Sequence, residues 1–279
     1  MTTEFIEVNK AAIRALEQGE RVAMTTVVRV RGSAPRHEGA RMVVWADGRI
    51  VGTVGGATLE QKVIEHAQQA LRTRRGRVEE YLLSTDEDPR SLGLCGGEVE
   101  VHIEVLEPQA TLLIIGAGHI ATPLSRMAEQ TGMRVVVVDD RPEFANQERF
   151  PEAQELLQVN YDPESEQLSE IEFTPSPSNY VVVATWGWDE PALAQLLSAA
   201  PRPAYVGLVA SPTKARVIFD RLRESGIPSD ALNAVHAPAG LDLGAESPGE
   251  IALSILAEIL LVQRGASGRP LIEVRQKKA

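Results

Sequence analysis

Gly116-Ala117-Gly118-His119-Ile120 follows directly on the apolar run Leu112–Ile115. An acid, Asp139, closes the next apolar run about 20 residues later, the spacing at which a carboxylate meets a ribose. In a strand–turn–helix setting the first glycine permits the tight turn and the second lets the backbone approach a diphosphate. Ala121 stands where a third small residue allows close helix packing, and the helix start offers free N–H groups to the anion. The pattern therefore points to a dinucleotide-type ligand held by Gly116, Gly118 and Asp139, with NAD(P) as one candidate. His119 lies at the helix start, where an imidazole suits either a phosphate or the face of a flat ring. A half-exposed surface histidine fits the same position equally well.

Three further loops are rich in small residues: Gly32-Ser33-Ala34-Pro35-Arg36, Val54-Gly55-Gly56-Ala57 and Leu94-Cys95-Gly96-Gly97-Glu98. Such loops let backbone amides crowd a flat or anionic ligand, and each taken singly is also ordinary turn chemistry. The candidate contacts here are Ser33, Arg36, Gly55, Gly56, Cys95, Gly96 and Gly97. Cys95 is the chain's one cysteine, so it forms no internal disulfide and belongs to no cysteine-rich metal site. It is either a thiol that meets a ligand or a small buried hydrophobe. Thr185-Trp186-Gly187-Trp188-Asp189 and Ser211-Pro212 each follow a strand-like run, which adds Thr185, Gly187 and Ser211 as candidates. The two tryptophans suit stacking on a heterocycle or plain packing, and the sequence leaves both open.

The elements that must position these residues form two groups meeting near Leu106–Ala110. The fold class is α/β: a small N-terminal α/β domain (residues 1–107) precedes a Rossmann-like, doubly wound parallel sheet (108–279). In the first, Phe5, Val8, Ala12 and Leu16 recur at helical spacing, with Gly19 as the stop. Val22–Val30 is rich in β-branched residues, and Asp47-Gly48 marks a two-residue hairpin turn between Arg41–Ala46 and Arg49–Thr53. Thr58 and Gln61 have capping-box spacing for a helix that Gly76 would close. Val78–Leu83 and Glu98–Leu106 complete the strands. In the second, Leu112–Ile115, Val135–Val138, Tyr180–Ala184 and Ala204–Leu208 are short apolar runs of the kind a parallel sheet buries. Ser211-Pro212 and Ser247-Pro248 each set an N-cap before a first-turn proline. The helix after Ser247 is apolar almost all round, so a core or a second subunit must cover it, which suggests a homodimer.

Composition removes several classes of function. A formal net charge of −11 with only short basic runs disfavours nucleic-acid binding. No apolar run approaches the ~20 residues of a membrane span. The start, Met1-Thr2-Thr3-Glu4, lacks the basic and apolar regions of a secretion signal, so a cytoplasmic location is expected. Five scattered histidines form no zinc motif. The second domain shows no Tyr-x-x-x-Lys pair and no evident His–carboxylate dyad, which weighs against a turnover catalyst. A nicotinamide-dependent oxidoreductase and a nucleotide-sensing assembly factor are readings that the residues leave open.

Taken in order, these blocks resemble the XdhC/CoxI family over nearly the whole chain. The resemblance is carried by Gly32–Arg36, Gly39-Ala40-Arg41-Met42, Gly55-Gly56 with Leu59-Glu60, and Cys95-Gly96-Gly97. It continues through Gly116–Ile120, Asp139-Asp140-Arg141, Ala204–Leu208, Ala237-Pro238-Ala239-Gly240-Leu241-Asp242-Leu243-Gly244-Ala245 and Ser247–Ala252. It departs from the pattern at Trp188, where many relatives carry histidine, at Ala57 and at Ala210-Ser211-Pro212. The resemblance implies binding of the molybdenum cofactor, as molybdopterin or its cytosine dinucleotide. It also implies help with sulfuration, a cysteine desulfurase as a further partner, and delivery to a molybdenum hydroxylase of the xanthine or carbon monoxide dehydrogenase type.

Overall fold

The computed structural model describes residues 2–83 and 96–275. The chain divides into two compact units, Met1–Pro108 and Gln109–Ala279.

The first unit begins with α1 (Thr2–Glu17), followed by β1 (Val22–Arg31), β2 (Arg41–Trp45) and β3 (Ile50–Gly52), then α2 (Ala57–Thr73), β4 (Arg77–Leu83) and β5 (Gly97–Leu106). The five strands pair antiparallel in the order β3-β2-β1-β5-β4. Alternation along each strand feeds two cores. Ala23, Met42, Val44, Val101 and Ile103 face Leu59, Val63, Ala67 and Leu71 of α2. Val22, Met24 and Val43 face Val8, Ala12 and Ala15 of α1. The buried stripe of α1 thus runs through Val8, Ala12 and Ala15, while Phe5, expected on it, is exposed under the Arg41 guanidinium.

Three local expectations are corrected. The hairpin loop has three residues, because Trp45 pairs with Arg49 and Gly48 takes the positive φ of a bulge. Thr58 makes no capping box: α2 starts at Ala57, and the Glu60 carboxylate instead accepts from the Val54 and Gly56 amides and the Thr53 hydroxyl. The helix ends at Thr73, but Arg74 in the left-handed region closes it rather than Gly76.

The second unit runs β6 (Thr111–Ile115), α3 (Ala121–Gln130), β7 (Arg134–Asp139), β8 (Glu155–Gln158) and a small hairpin, β9 (Tyr161–Asp162) with β10 (Gln167–Leu168). It continues with β11 (Asn179–Val183), α4 (Asp189–Ser198), β12 (Tyr205–Leu208), α5 (Pro212–Glu224), α6 (Ser229–Asn233), β13 (Val235–His236), α7 (Pro248–Arg264) and α8 (Leu271–Arg275). Its parallel sheet has the order β13-β12-β11-β6-β7-β8. This is the doubly wound arrangement, whose order reverses between β6 and β11. One face packs on α4 and α5 through Leu113, Ile115, Val181 and Val183. The other packs on α3 and α7 through Leu112, Ile114, Val137 and Val182.

The apolar helix α7 finds most of its cover inside its own unit: Ala252, Ile255, Leu256 and Ile259 are buried in that second core, while Leu253 is exposed. Its start carries the full capping box, Ser247 Oγ accepting from the Glu250 amide and the Glu250 carboxylate accepting from the Ser247 amide. Ser247→Ala should therefore cost about 1 kcal/mol. A urea titration should show a lower midpoint at an unchanged slope. An unchanged midpoint would mean that packing alone sets the start of α7.

Candidate functional site

In a doubly wound sheet ligands bind outside the carboxyl ends of the strands, where the strand order reverses. Here that point is flanked by the turn after β6, Gly116–Ile120, and the loop after β11, Ala184–Trp188. The two are packed tightly. Gly116 has φ 106°, and a Cβ there would overlap the Ala184 carbonyl, so glycine is required. Gly118 differs: a Cβ added to it meets nothing within 4 Å. Among the described residues no acceptor takes the amides of Gly118, His119 or Ile120. These donors, at the N-terminus of α3, can receive an anion. The His119 side chain is exposed beside them.

Asp139 is placed differently from the expected ribose contact. Its side chain is 0% exposed, and Oδ2 accepts from the Ala117 amide at 2.6 Å and from Arg141 Nη2 at 3.0 Å. Oδ1 accepts from the Arg141 amide at 3.0 Å and from Arg141 Nε at 2.8 Å. The carboxylate's roughly four acceptor sites are thereby filled from within the chain. Burial on its own would raise this carboxyl, but the hydrogen bonds from Arg141 and Ala117 outweigh it and hold it below its ordinary range. Asp139 braces the glycine turn. The neighbouring Asp140 accepts instead from Trp188 Nε1 at 3.2 Å.

The loop after β11 separates the two tryptophans. Trp188 is 1% exposed and packs in the core, whereas Trp186 is 87% exposed. Between them lies Gly187, whose carbonyl accepts from the Tyr161 hydroxyl at 3.3 Å. Thr185 donates its amide to Asp189 Oδ1 at 3.2 Å, while its buried hydroxyl has no hydrogen-bond partner among the described residues. Ser211 caps α5, accepting from the Lys214 amide at 3.2 Å.

In the first unit the structure brings three predicted segments together. Arg31 and Glu98 are paired across β1 and β5, which sets the loop after β1 beside Gly96-Gly97. A Cβ on Gly97 would overlap the Ser33 carbonyl, so the two backbones touch. Gly55 lies against Pro35. The amides of Val54 and Gly56 are, however, taken by Glu60, and that of Gly55 by Thr53 Oγ1 at 3.2 Å, so these three are not open to an anion. Arg36 is paired with Glu4 and lines a cavity of about 500 Å³ with Phe5, Val8, His37 and Arg41. Cys95 lies outside the described residues. Among those residues no cluster of His, Cys, Asp or Glu is arranged to hold a metal ion, and no helix is long and apolar enough to cross a membrane.

Two polar groupings were not anticipated. Asp189, buried, pairs with Lys214 Nζ at 2.6 Å, so the lysine has a role beyond the first turn of α5. Glu258 accepts from the Tyr205 hydroxyl at 2.7 Å and the Gly240 amide at 2.8 Å, and its other oxygen meets His236 Nδ1 at 2.8 Å. Burial would raise Glu258, yet these donors hold it below its ordinary range, and burial together with the same contact raises Tyr205. A His–carboxylate dyad therefore exists in this unit, away from the glycine turn. It sits at β13, three strand spacings (about 14 Å) from β6. The sequence signal available was an acid within the apolar run of α7, opposite Val235-His236.

Residues 112–259 match the family model described as the XdhC Rossmann domain, and residues 15–82 match that of the XdhC and CoxI family. The chain belongs to the XdhC and CoxI family. It is 38% identical over 258 residues to an uncharacterized protein, YqeB, of Escherichia coli strain K12, an alignment covering 92% of this chain and 46% of that one. The chain thus spans about half the length of that relative. It is 25% identical over 330 residues to a probable xanthine dehydrogenase component of Bacillus subtilis strain 168, covering 89% of this chain and 95% of the relative. Against PaoD of E. coli K12, a molybdenum cofactor insertion chaperone, identity is 24% over 292 residues, covering 94% and 90%.

The bracing role of Asp139 is testable by Asp139→Asn. Removing the charge should cost about 2–3 kcal/mol at neutral pH, as for hydrogen bonds to a buried ionised group. Because the folded carboxyl titrates below its unfolded value of about 3.9, its contribution is complete above that value. It is lost as pH falls through the lower folded value. The parent and variant unfolding curves should therefore converge in acid. Curves that stay parallel down to about pH 2 would remove the brace.

Proposed function

We propose that this XdhC/CoxI-family chain is an accessory factor that binds the molybdenum cofactor, as molybdopterin or its cytosine dinucleotide, and delivers it to a molybdenum hydroxylase. The observation that carries the reading is the row of unclaimed amides, Gly118–Ile120, at the strand-order reversal of a Rossmann sheet. A diphosphate fits that turn: the open space at Gly118 admits it, and the helix start supplies the donors. Gly116 and Asp139 hold the turn in shape, and the exposed His119 imidazole adds a cationic or donor contact at its edge. The cofactor supplies the redox metal that the client enzyme uses. This chain's residues bind, orient and shield it.

The name of PaoD supports the chaperone reading, and that of the B. subtilis relative points to a xanthine-dehydrogenase-like client. In the first unit, Ser33 meets Gly97 and Pro35 meets Gly55, and the small-residue loops there, with Ser33, Arg36, Gly55, Gly56, Gly96 and Gly97, are proposed as cofactor contacts of that unit. Help with sulfuration, with Cys95 as a thiol near the terminal sulfur and a cysteine desulfurase as the donor, belongs to the same proposal, as does assembly as a homodimer in the cytoplasm.

Gly118→Val should fold normally, since nothing lies within 4 Å of the added carbon. It should lose binding of a cytidine or adenine nucleotide diphosphate and copurify with less molybdenum and pterin. A variant that retains both places the cofactor elsewhere. If the parent takes NAD⁺ and turns it over while carrying no pterin, the oxidoreductase alternative replaces the chaperone. Cys95→Ala should cost no more than about 1–2 kcal/mol of stability and lower both the molybdenum-to-protein ratio and client activation. A normal ratio ends the thiol role.

A further inference from the structure

A tryptophan with 87% of its surface in solvent is unusual, because an indole is a large apolar body that normally gains by burial. Trp186 is not on a fraying segment. Thr185 before it is tied through its amide to Asp189, itself buried and held by Lys214. Gly187 after it is tied to Tyr161, and Trp188 is anchored in the core with its Nε1 on Asp140. The indole is thus presented on a loop braced from both sides. That loop leaves β11 next to β6, and the Ala184 carbonyl abuts Gly116, so the loop that carries Trp186 borders the glycine turn.

We propose that Trp186 is the stacking platform for the planar heterocycle, nucleobase or pterin, of a ligand whose diphosphate lies on the Gly118–Ile120 amides. This rests on the dinucleotide reading above and adds the group that grips the ring. An aromatic face tolerates any flat base, so the platform supplies affinity without choosing among bases, while the diphosphate sets position.

The test uses the full chain, with CDP, ADP, NAD⁺ and inorganic pyrophosphate as probes followed by calorimetry. The parent, Trp186→Ala, Trp186→Phe and Gly118→Val are compared. Trp186→Ala should weaken the three ring-bearing probes about tenfold to a hundredfold, leave pyrophosphate unchanged, and be largely rescued in Trp186→Phe. Because Trp186 is one of three tryptophans, ring binding should also quench parent fluorescence and fail to quench that of Trp186→Ala. Nucleotide binding lost in Gly118→Val but intact in Trp186→Ala overturns the stacking and leaves the diphosphate site standing. Binding intact in both variants, or absent from the parent, overturns the dinucleotide reading and the platform with it. A Trp186→Ala protein that binds every probe normally yet no longer activates a hydroxylase would make the indole a protein-docking residue and overturn the proposal.

Discussion

A single carboxylate fixes the geometry on which the candidate site depends. Asp139, at the end of β7, reaches across to the Ala117 amide in the turn after β6 and gathers three donors from Arg141. A buried carboxylate without partners would be strongly disfavoured, so the pairing cannot loosen without cost. The ends of two neighbouring strands are thereby locked together. Gly116 closes the remaining gap by letting the Ala184 carbonyl approach where any side chain would stand. The turn that presents the free amides is consequently rigid on both sides, towards β7 through Asp139 and towards β11 through Gly116. Rigid donors lose little freedom on binding, which is how preorganised sites gain affinity.

The two units handle their glycine-rich turns in opposite ways. In the first, the amides of Val54, Gly55 and Gly56 are absorbed by Glu60 and Thr53, and Gly97 serves close contact with the Ser33 carbonyl. These glycines allow backbones to pack against each other. In the second, Gly118–Ile120 keep their amides unclaimed, and Gly118 has space beside it. The same residue type thus serves packing in one place and ligand access in the other. The difference lies in what accepts from the neighbouring N–H groups.

That difference explains what was legible in the sequence. The main strands of both sheets, the parallel order implied by βαβ alternation, and the N-caps at Ser211 and Ser247 follow from local pattern and were readable. So was the glycine turn, because its context of strand, turn and helix is contained in a few residues. The duty of Asp139 was not readable: whether an acid at a strand end points to a ribose or to a neighbouring amide depends on Arg141 folding back two residues later. Glu60 was hidden for a similar reason, since its donors lie in the preceding loop and the capping pattern of Thr58 offered a simpler local answer. The pairs Asp189–Lys214 and His236–Glu258 join residues 25 and 22 positions apart. Only the packing of α4 against α5, and of α7 beside β12 and β13, brings them together. Trp186 and Trp188, two residues apart, have opposite fates because one points into the α4–α5 core and the other away from it.

Among the described residues, the charged groups near the glycine turn are engaged with one another. A general acid or base must reach the reacting proton with capacity to spare. Near the glycine turn the carboxylates are engaged by Arg141 and Lys214, and the one His–carboxylate dyad among the described residues lies three strands away, where Glu258 also clamps Gly240 and Tyr205. His119 is the exception, yet among the described residues no carboxylate orients it, and a lone exposed imidazole lacks the partner that fixes a tautomer for proton transfer. What remains at the turn is a set of backbone dipoles, with an exposed indole on the neighbouring loop. Each of these recognises a diphosphate or a flat ring, and none of them activates a bond. At this turn, such an arrangement agrees with the proposed uptake and release of a preformed cofactor, because release requires contacts that are numerous and individually modest.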